Sequence, residues 1–403
     1  MNRNRISRIA KATVASLAVT LGLTACTRDY TVAYVYMTTA KSSPGVVDEY
    51  AVDYSSGALT QIGTTQAGND PVTVIPSPSG LFVYVINRGD SSVQEFAVQS
   101  NGTLVSKNVY KINGSLPTAG AIDPAGKFLY VSFTFQTGYS APANLGPGGV
   151  AIFPINADNS LGTVTTVNVG NNPVGVVASY FNHFVYVLEQ ETTPNGAPIG
   201  TILGFSQDPS TGALTPVAGT NITTVGGKTV ATGYQAGVVP SAIAEEQTAR
   251  FLYVTDQNAN QLIGYVVQAN GSLVPMVNGP FNTGNFPTGL TVDPRGRLLY
   301  VVNFNANTIQ GFAIDTATGT PSGAVGAFAT SVGTGPSCVA IDPALGKYLY
   351  TSNSLDNTLS GEKLNAGTGG LETVQNSPFL GSGAPTCLTV VANGSHATQL
   401  ITP

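Results

Sequence analysis

A proline preceded by glycine recurs seven times along the chain, at Pro71, Pro117, Pro173, Pro240, Pro287, Pro336 and Pro385. The first six read Gly-x-x-Pro; in the seventh the glycine, Gly381, lies one place earlier. Successive gaps are 46, 56, 67, 47, 49 and 49 residues. After each proline come a short apolar run, a tight turn, a second apolar run centred on tyrosine, an Asn-rich loop and a third apolar run. A period of about 47 residues built from four short strands predicts an all-β, seven-bladed β-propeller with four-stranded antiparallel blades. One such repeat cannot bury both its faces, so neighbouring blades must supply the core.

The sixth repeat shows the logic. Residues 288–292 read as the innermost strand. In Asp293-Pro294-Arg295-Gly296 the proline fixes φ and the glycine closes a β-turn. Residues 298–302 are continuously apolar, as expected for a strand buried on both faces, and residues 308–314 form a third strand. Trp is absent, which excludes a Trp-Asp repeat array.

The two ends of the chain complement each other. Ala33-Tyr34-Val35-Tyr36 matches a second strand with no Pro-led strand before it, and Pro385 with Cys387-Leu388-Thr389-Val390-Val391 supplies the missing inner strand. One blade built from both termini would close the ring, remove its edges and leave a monomer. Cys338 and Cys387 each lie two residues after their proline, on inner strands of adjacent blades across that seam. A disulfide there and two buried thiols both remain open, because a bridge needs Cα atoms about 4.4–6.8 Å apart.

Residues 1–25 carry Arg3, Arg5, Arg8 and Lys11, then an apolar stretch ending in Leu23-Thr24-Ala25 before Cys26. This resembles a bacterial lipoprotein signal, with lipidation of Cys26 expected and an ordinary signal peptide as the alternative. The apolar stretch falls short of the ~20 residues of a spanning helix. Residues 26–30 would form a tether reaching about 14 Å, holding a single propeller domain (31–403) near the bilayer. Without the four basic signal residues the balance is 12 Lys and Arg against 21 Asp and Glu, net −9. No basic patch exists, which argues against nucleic acid as a partner.

The segments Pro336-Ser-Cys-Val-Ala-Ile-Asp-Pro-Ala-Leu-Gly-Lys-Tyr-Leu-Tyr and Pro117-Thr-Ala-Gly-Ala-Ile-Asp-Pro-Ala-Gly-Lys-Phe-Leu-Tyr-Val resemble the seven-bladed lactonase family. So do Asp208-Pro-Ser-Thr-Gly-Ala-Leu and Asp53-Tyr-Ser-Ser-Gly-Ala-Leu. That family includes 6-phosphogluconolactonases and muconate-lactonizing enzymes. The Leu-Tyr-Val-x-Asn stretches are also similar to the YVTN repeats of cell-surface propellers. The resemblance covers the whole mature chain and implies the fold, but its motifs belong to turns and strands rather than to chemistry.

Loops entering the inner strands share the top face with those joining second to third strands. The longest candidates there are residues 134–149, 189–200 and 218–237. As catalytic groups, Glu189, with Asp256, would activate water on a lactone carbonyl while Arg88 steadies the developing oxyanion. Asp90, Glu191, Asn303 and Asn353 are the corresponding binding candidates. Each of these residues equally reads as a solvated loop group. Ca²⁺ at Asp256 and Asp356 lacks a contiguous ligand loop, so no metal and no cofactor is expected. His183 reads as a turn residue, and His396 falls in a tail, residues 396–403, that matches no repeat.

Two functions follow. One is an envelope-anchored propeller, on the periplasmic or cell-surface side, holding a small ligand, glycan or envelope protein at its top face. The other is an extracytoplasmic lactone hydrolase. A deep pocket with converging carboxylates and arginine would favour the enzyme; an open, Asn- and Tyr-rich face would favour the binder.

Overall fold

The computed structural model describes residues 30–140, 146–192, 197–225, 228–323 and 329–394. The expected signal, residues 1–25, with Cys26, His396 and the rest of the tail, lies outside the described residues. Every regular element among the described residues is a strand.

Seven antiparallel sheets surround a central axis, each running from an innermost to an outermost strand. Blade 1 takes its inner strand from Pro385–Ala392 and its other three from Thr31–Thr39, Val46–Asp53 and Leu59–Gln66. Ala33 pairs with Ala392 and Thr39 with Pro385, so the two ends of the domain close the ring as the sequence predicts. Blades 2 to 7 begin at Pro71–Pro76, Gly114–Ile122, Pro173–Ala178, Pro240–Glu245, Pro287–Val292 and Pro336–Ile341. Blade 4 also carries an inserted hairpin, Asn221–Val225 with Lys228–Thr232.

One hydrogen bond explains the two most repeated motifs. Tyr36, Tyr84, Tyr130, Tyr186, Tyr253, Tyr300 and Tyr350 each sit fully buried at the centre of a second strand. Each hydroxyl donates to a carbonyl in the turn before the outer strand of the next blade. Tyr186 reaches Gly271 O at 3.0 Å, Tyr253 reaches Gly319 O at 2.6 Å, Tyr300 reaches Gly369 O at 2.8 Å, and Tyr350 closes the circle on Gly57 O at 2.8 Å. Those turn glycines all have positive φ, which leaves the carbonyl free to face the neighbouring blade. A buried phenol without a partner would be costly; here the tyrosine of one repeat and the turn before the outer strand of the next satisfy each other.

The cores between blades are separate apolar clusters, such as Tyr253, Leu290, Val292, Leu299, Val301 and Phe312 between blades 5 and 6. Outer strands differ by sector. In blades 1 and 2 they are continuous, Leu59–Gln66 and Leu104–Lys111, whereas in blades 4 to 7 each is split in two. Opposite the central tyrosine, blades 4 to 7 have Gly204, Gly264, Gly311 and Gly361, while blade 2 has Glu95. Val217 and Met276 from the outer segments fill the space over Gly204 and Gly264. In blade 2 the Glu95 carboxylate occupies it, accepting from Asn108 at 3.0 Å and Tyr110 at 2.8 Å.

Candidate functional site

The inner strands leave a channel on the axis with a cavity of about 260 Å³. Its wall is made by residues just after each repeat proline. Five of these carry hydroxyls whose protons are committed. Thr118 donates to Pro173 O at 2.6 Å, Ser241 to Pro287 O at 2.7 Å, and Thr288 to Pro336 O at 2.9 Å. Ser337 donates to Thr386 O at 3.0 Å, and Thr386 to Pro71 O at 2.8 Å. Blade 4 has Val174 at this station, and Gln190 Nε2 reaches Pro240 O instead, at 2.8 Å. The result is a girdle in which six blades donate to the next in chain order, open only after blade 2, where Val72 holds the station. Thr118, Ser241, Ser337 and Thr386 also touch the hydroxyls of Ser132, Thr255, Ser352 and Thr38 at 2.8–3.0 Å, so with their own protons on the carbonyls each keeps one oxygen lone pair beyond those contacts. The disulfide Cys338–Cys387, Cα atoms 4.9 Å apart, belongs to the same wall at the seam between blades 7 and 1. None of the residues lining the cavity is titratable.

The carboxylates chosen from the sequence stand elsewhere. Asp256 ends the second strand of blade 5 and Glu189 lies within the longer one of blade 4, Phe184–Thr192; both pair with the repeat proline, the station held by Asn87, Asn303 and Asn353 in blades 2, 6 and 7. At that station the side chain lies beneath a glycine of the loop entering the same blade: Gly68, Gly170, Gly237, Gly284 and Gly333 respectively, in blade order 2, 4, 5, 6 and 7. Asn87 Oδ1 accepts the Gly68 N–H at 3.1 Å, and Glu189 Oε1 that of Gly170 at 2.8 Å. Asp256 accepts Val238 and Val239 N–H at 2.7 and 3.1 Å. Asn303 and Asn353 turn their amides toward Thr308 and Thr358, at 3.2 and 2.9 Å.

Glu189 is fully buried, and its Oε2 receives no hydrogen bond. Burial first, and then the nearby Glu191, hold its carboxyl well above the usual carboxylate range. Both effects favour its protonated form, which counts against Glu189 as a general base. Glu191 accepts from Asn171 N at 2.5 Å and Nδ2 at 2.7 Å. The two glutamates thus meet around Gly170, the one pair of sequence-chosen residues brought together there. Asp90 holds Asn69 in the same manner, at 2.6 and 2.8 Å. Arg88 pairs through Nε with Asp70 Oδ2 at 2.7 Å, and both side chains are partly exposed. Asp356 accepts from Thr334 N–H and Thr358 Oγ1.

Around the channel rim each of several blades presents two residues joined by a backbone hydrogen bond, one before the inner-strand proline and one after the second strand. Arg88 N–H donates to Asp70 O at 2.9 Å, Gln190 to Asn172 at 3.1 Å, Phe304 to Phe286 at 2.8 Å, and Ser354 to Gly335 at 2.9 Å. The side chains of three pairs also meet: the Arg88–Asp70 ion pair, Asn172 Nδ2 donating to Gln190 Oε1 at 2.8 Å, and the rings of Phe286 and Phe304 with centroids 6.0 Å apart. Neither the hydroxyl girdle nor these pairs was singled out from sequence. The visible signal was a Ser or Thr directly after five of the seven prolines.

The family described as lactonase, 7-bladed beta-propeller, matches residues 74–137 and 199–341, just over half of the chain. The periplasmic gluconolactonase PpgL of Pseudomonas aeruginosa superposes with a TM-score of 0.70 at 20% identity, over 90% of this chain and 100% of that one. A 6-phosphogluconolactonase candidate from Bacteroides uniformis gives 0.70 at 20% identity, over 89% and 99%. A Lactobacillus plantarum protein gives 0.65 at 16%, over 90% and 99%. No curated protein sequence matches. At such identities the structures attest the shared fold, and the family match assigns the sequence: this chain belongs to the seven-bladed β-propeller lactonase family.

Proposed function

We propose that the protein is an extracytoplasmic, lipid-anchored propeller that binds a small, neutral, hydroxyl-bearing ligand in the channel at its top face. The observation that carries this reading is the channel wall: about 260 Å³ of space lined by hydroxyl oxygens and apolar groups, with no acid or base among the lining residues. Lone pairs left by the girdle suit a ligand that donates hydrogen bonds, and a neutral wall suits one without charge. The Cys338–Cys387 disulfide supports an oxidising compartment. The arginines and Leu23-Thr24-Ala25-Cys26 support export and anchoring through lipid on Cys26.

Lactone hydrolysis is the second reading, favoured by the family and by the Glu189–Glu191 pair. In that role Glu189, whose burial favours the protonated form, would act as acid toward a leaving alcohol rather than as base.

One experiment separates the two. The soluble domain starting after Cys26 is titrated calorimetrically with neutral sugars, polyols and lactones, and proton release from the lactones is followed in parallel. Thr73→Trp fills the channel, since Thr73 lines it and makes no side-chain hydrogen bond recorded in the structure. Binding of a neutral polyol that is lost in a folded Thr73→Trp, with no turnover, is the expected result. Turnover abolished by Glu189→Gln would replace the binder with an enzyme.

A further inference from the structure

Phe286 adopts φ +59° at the rim of blade 6, a left-handed conformation in which Cβ crowds the neighbouring carbonyl. The equivalent stations carry Asp70, Leu116, Asn172, Gly335 and Ala384, at φ 50, 55, 42, 67 and 44°. Asp, Asn and Gly tolerate this region and Ala is small, whereas Leu116 and Phe286 place bulky side chains in it, and of these two only Phe286 brings an aromatic ring to the rim. The backbone there does not depend on the ring. Asn260 Oδ1 accepts the Phe286 N–H at 2.7 Å, as Asn307 holds Gly335 at 2.9 Å and Asn357 holds Ala384 at 2.7 Å. The ring of Phe286 instead meets Phe304 at an interplanar angle of 58°, and both residues remain partly exposed. Phe304 and Leu355 flank Gly335 on the adjoining blade, which extends this apolar sector. Blades 2 and 4 present the opposite chemistry, the Arg88–Asp70 ion pair and the Asn172–Gln190 amide pair.

We propose that the rim is an oligosaccharide-binding surface. One pyranose ring packs its C–H face on Phe286 and Phe304, and following rings place vicinal hydroxyls on the Asn172–Gln190 and Arg88–Asp70 pairs. Each polar pair sets donors and acceptors side by side, the pattern that adjacent hydroxyls require. Each is internally neutral, so the matching ligand is uncharged. An aromatic held in an unfavourable conformation while still open to solvent is what a ligand platform needs and a core contact does not. This inference rests on the channel-binding reading and extends it from a single small ligand to the end of a glycan.

The test is calorimetric titration of the soluble domain with neutral gluco- and manno-oligosaccharides of one to five rings. Wild type is compared with Phe286→Gly, Phe304→Ala, Arg88→Ala and Thr73→Trp, and thermal melts accompany each. Phe286→Gly should keep or raise the melting temperature while weakening binding tenfold or more. Phe304→Ala should weaken binding of every length, and Arg88→Ala only of ligands with three or more rings. Unchanged affinity in Phe286→Gly and Phe304→Ala, with lowered melting temperatures, would make the rings structural and overturn the proposal. Failure of wild type to bind any oligosaccharide, or preference for aromatic peptides over sugars, would overturn it as well. Loss of small-polyol binding in Thr73→Trp alone would leave the channel reading standing while the rim proposal falls.

Discussion

Glu245 Oε2 accepts the backbone N–H of Tyr180 at 3.0 Å, across the seam between blades 4 and 5 and 65 residues along the chain. The contact satisfies an N–H that other blades lack, since Tyr180 stands where blades 3, 6 and 7 have Pro124, Pro294 and Pro343, and blade 4 also lacks the turn acid. In blade 3 Asp123 accepts Lys127 and Phe128 N–H, both at 2.7 Å, and in blade 6 Asp293 accepts Arg297 and Leu298 at 2.7 and 2.8 Å. Blade 4 has Ser179 at that station, and the neighbouring blade supplies a carboxyl from a position that is Val292 or Ile341 in blades 6 and 7. The cost is a buried acid. Glu245 Oε1 has no partner, and burial pushes the group up to about 8.

That shift makes stability depend on pH in a stated direction. Below the unfolded value of 4.5 both states hold the proton and the contribution is at its most favourable. As pH climbs from there through about 8, the unfolded chain ionises before the folded one, and stability falls. A displacement of this size corresponds to on the order of 4 kcal/mol. Glu362, buried and pushed up to about 7, works in the same sense. Urea melts at pH 5, 7 and 9 should show the decline, and Glu245→Gln, which still offers Tyr180 an acceptor, should flatten it. An unaltered slope in Glu245→Gln would disprove the assignment.

The tyrosine staples predict a cost that is the same around the ring. Tyr253→Phe and Tyr300→Phe keep the packing but leave the Gly319 and Gly369 carbonyls without those donors. Each should lose about 1–2 kcal/mol in denaturant unfolding. Losses below a few tenths in both would mean that water replaces the hydroxyl freely.

Reduction of the seam gives a larger effect. Cys338 and Cys387 are 49 residues apart in sequence, and closing a loop of that length restricts the unfolded chain by about 4 kcal/mol in the chain-entropy account. Cys338→Ser with Cys387→Ser should lower the midpoint of unfolding by a corresponding amount. The fold should survive, because the pairing of Ala33 with Ala392 through Thr39 with Pro385 still closes blade 1. A midpoint insensitive to the double substitution would show that this pairing alone secures the ring.

Much of the architecture was legible because the repeat encodes both partners of one bond. The tyrosine and the turn before the outer strand recur together, and each is needed by the other across a blade boundary. Ring closure was legible for the same reason, a missing strand at one end and a spare one at the other. The site was harder to read. Glu189 and Asp256 drew attention through their charge, yet they share a station with Asn87 and Asn303, and all four lie 19 residues beyond their glycine. In blade 7 the step from Gly333 to Asn353 is 20, with the longer turn Asp342-Pro-Ala-Leu-Gly346 lying between them. Charge type conceals such equivalence, and only alignment by position exposes it. The disulfide stayed open because sequence places two cysteines on adjacent strands without giving the 4.9 Å between their Cα atoms. The strain at Phe286 could not be foreseen, since Gly-Asn-Phe-Pro looks like any other copy of the motif until its φ is known.

The glycine above that station should be as immutable as the repeat suggests. A Cβ on Gly170 would collide with the carboxylates of Glu189 and Glu191 and touch Ala231 of the inserted hairpin. Glu189 is fully buried and anchored to the Gly170 N–H, so it has little room to withdraw. Gly170→Ala should therefore cost about 1–3 kcal/mol, the usual range for overpacking. Gly323, on the outer edge of blade 6, would place its Cβ in open space and has no positive φ. Gly323→Ala should accordingly lie within about 0.5 kcal/mol of wild type. The substitutions are chemically identical, so the comparison isolates the close approach. Equal stabilities for the two variants would show that the loop entering blade 4 yields to a methyl group, and that the 19-residue spacing is not maintained by this contact.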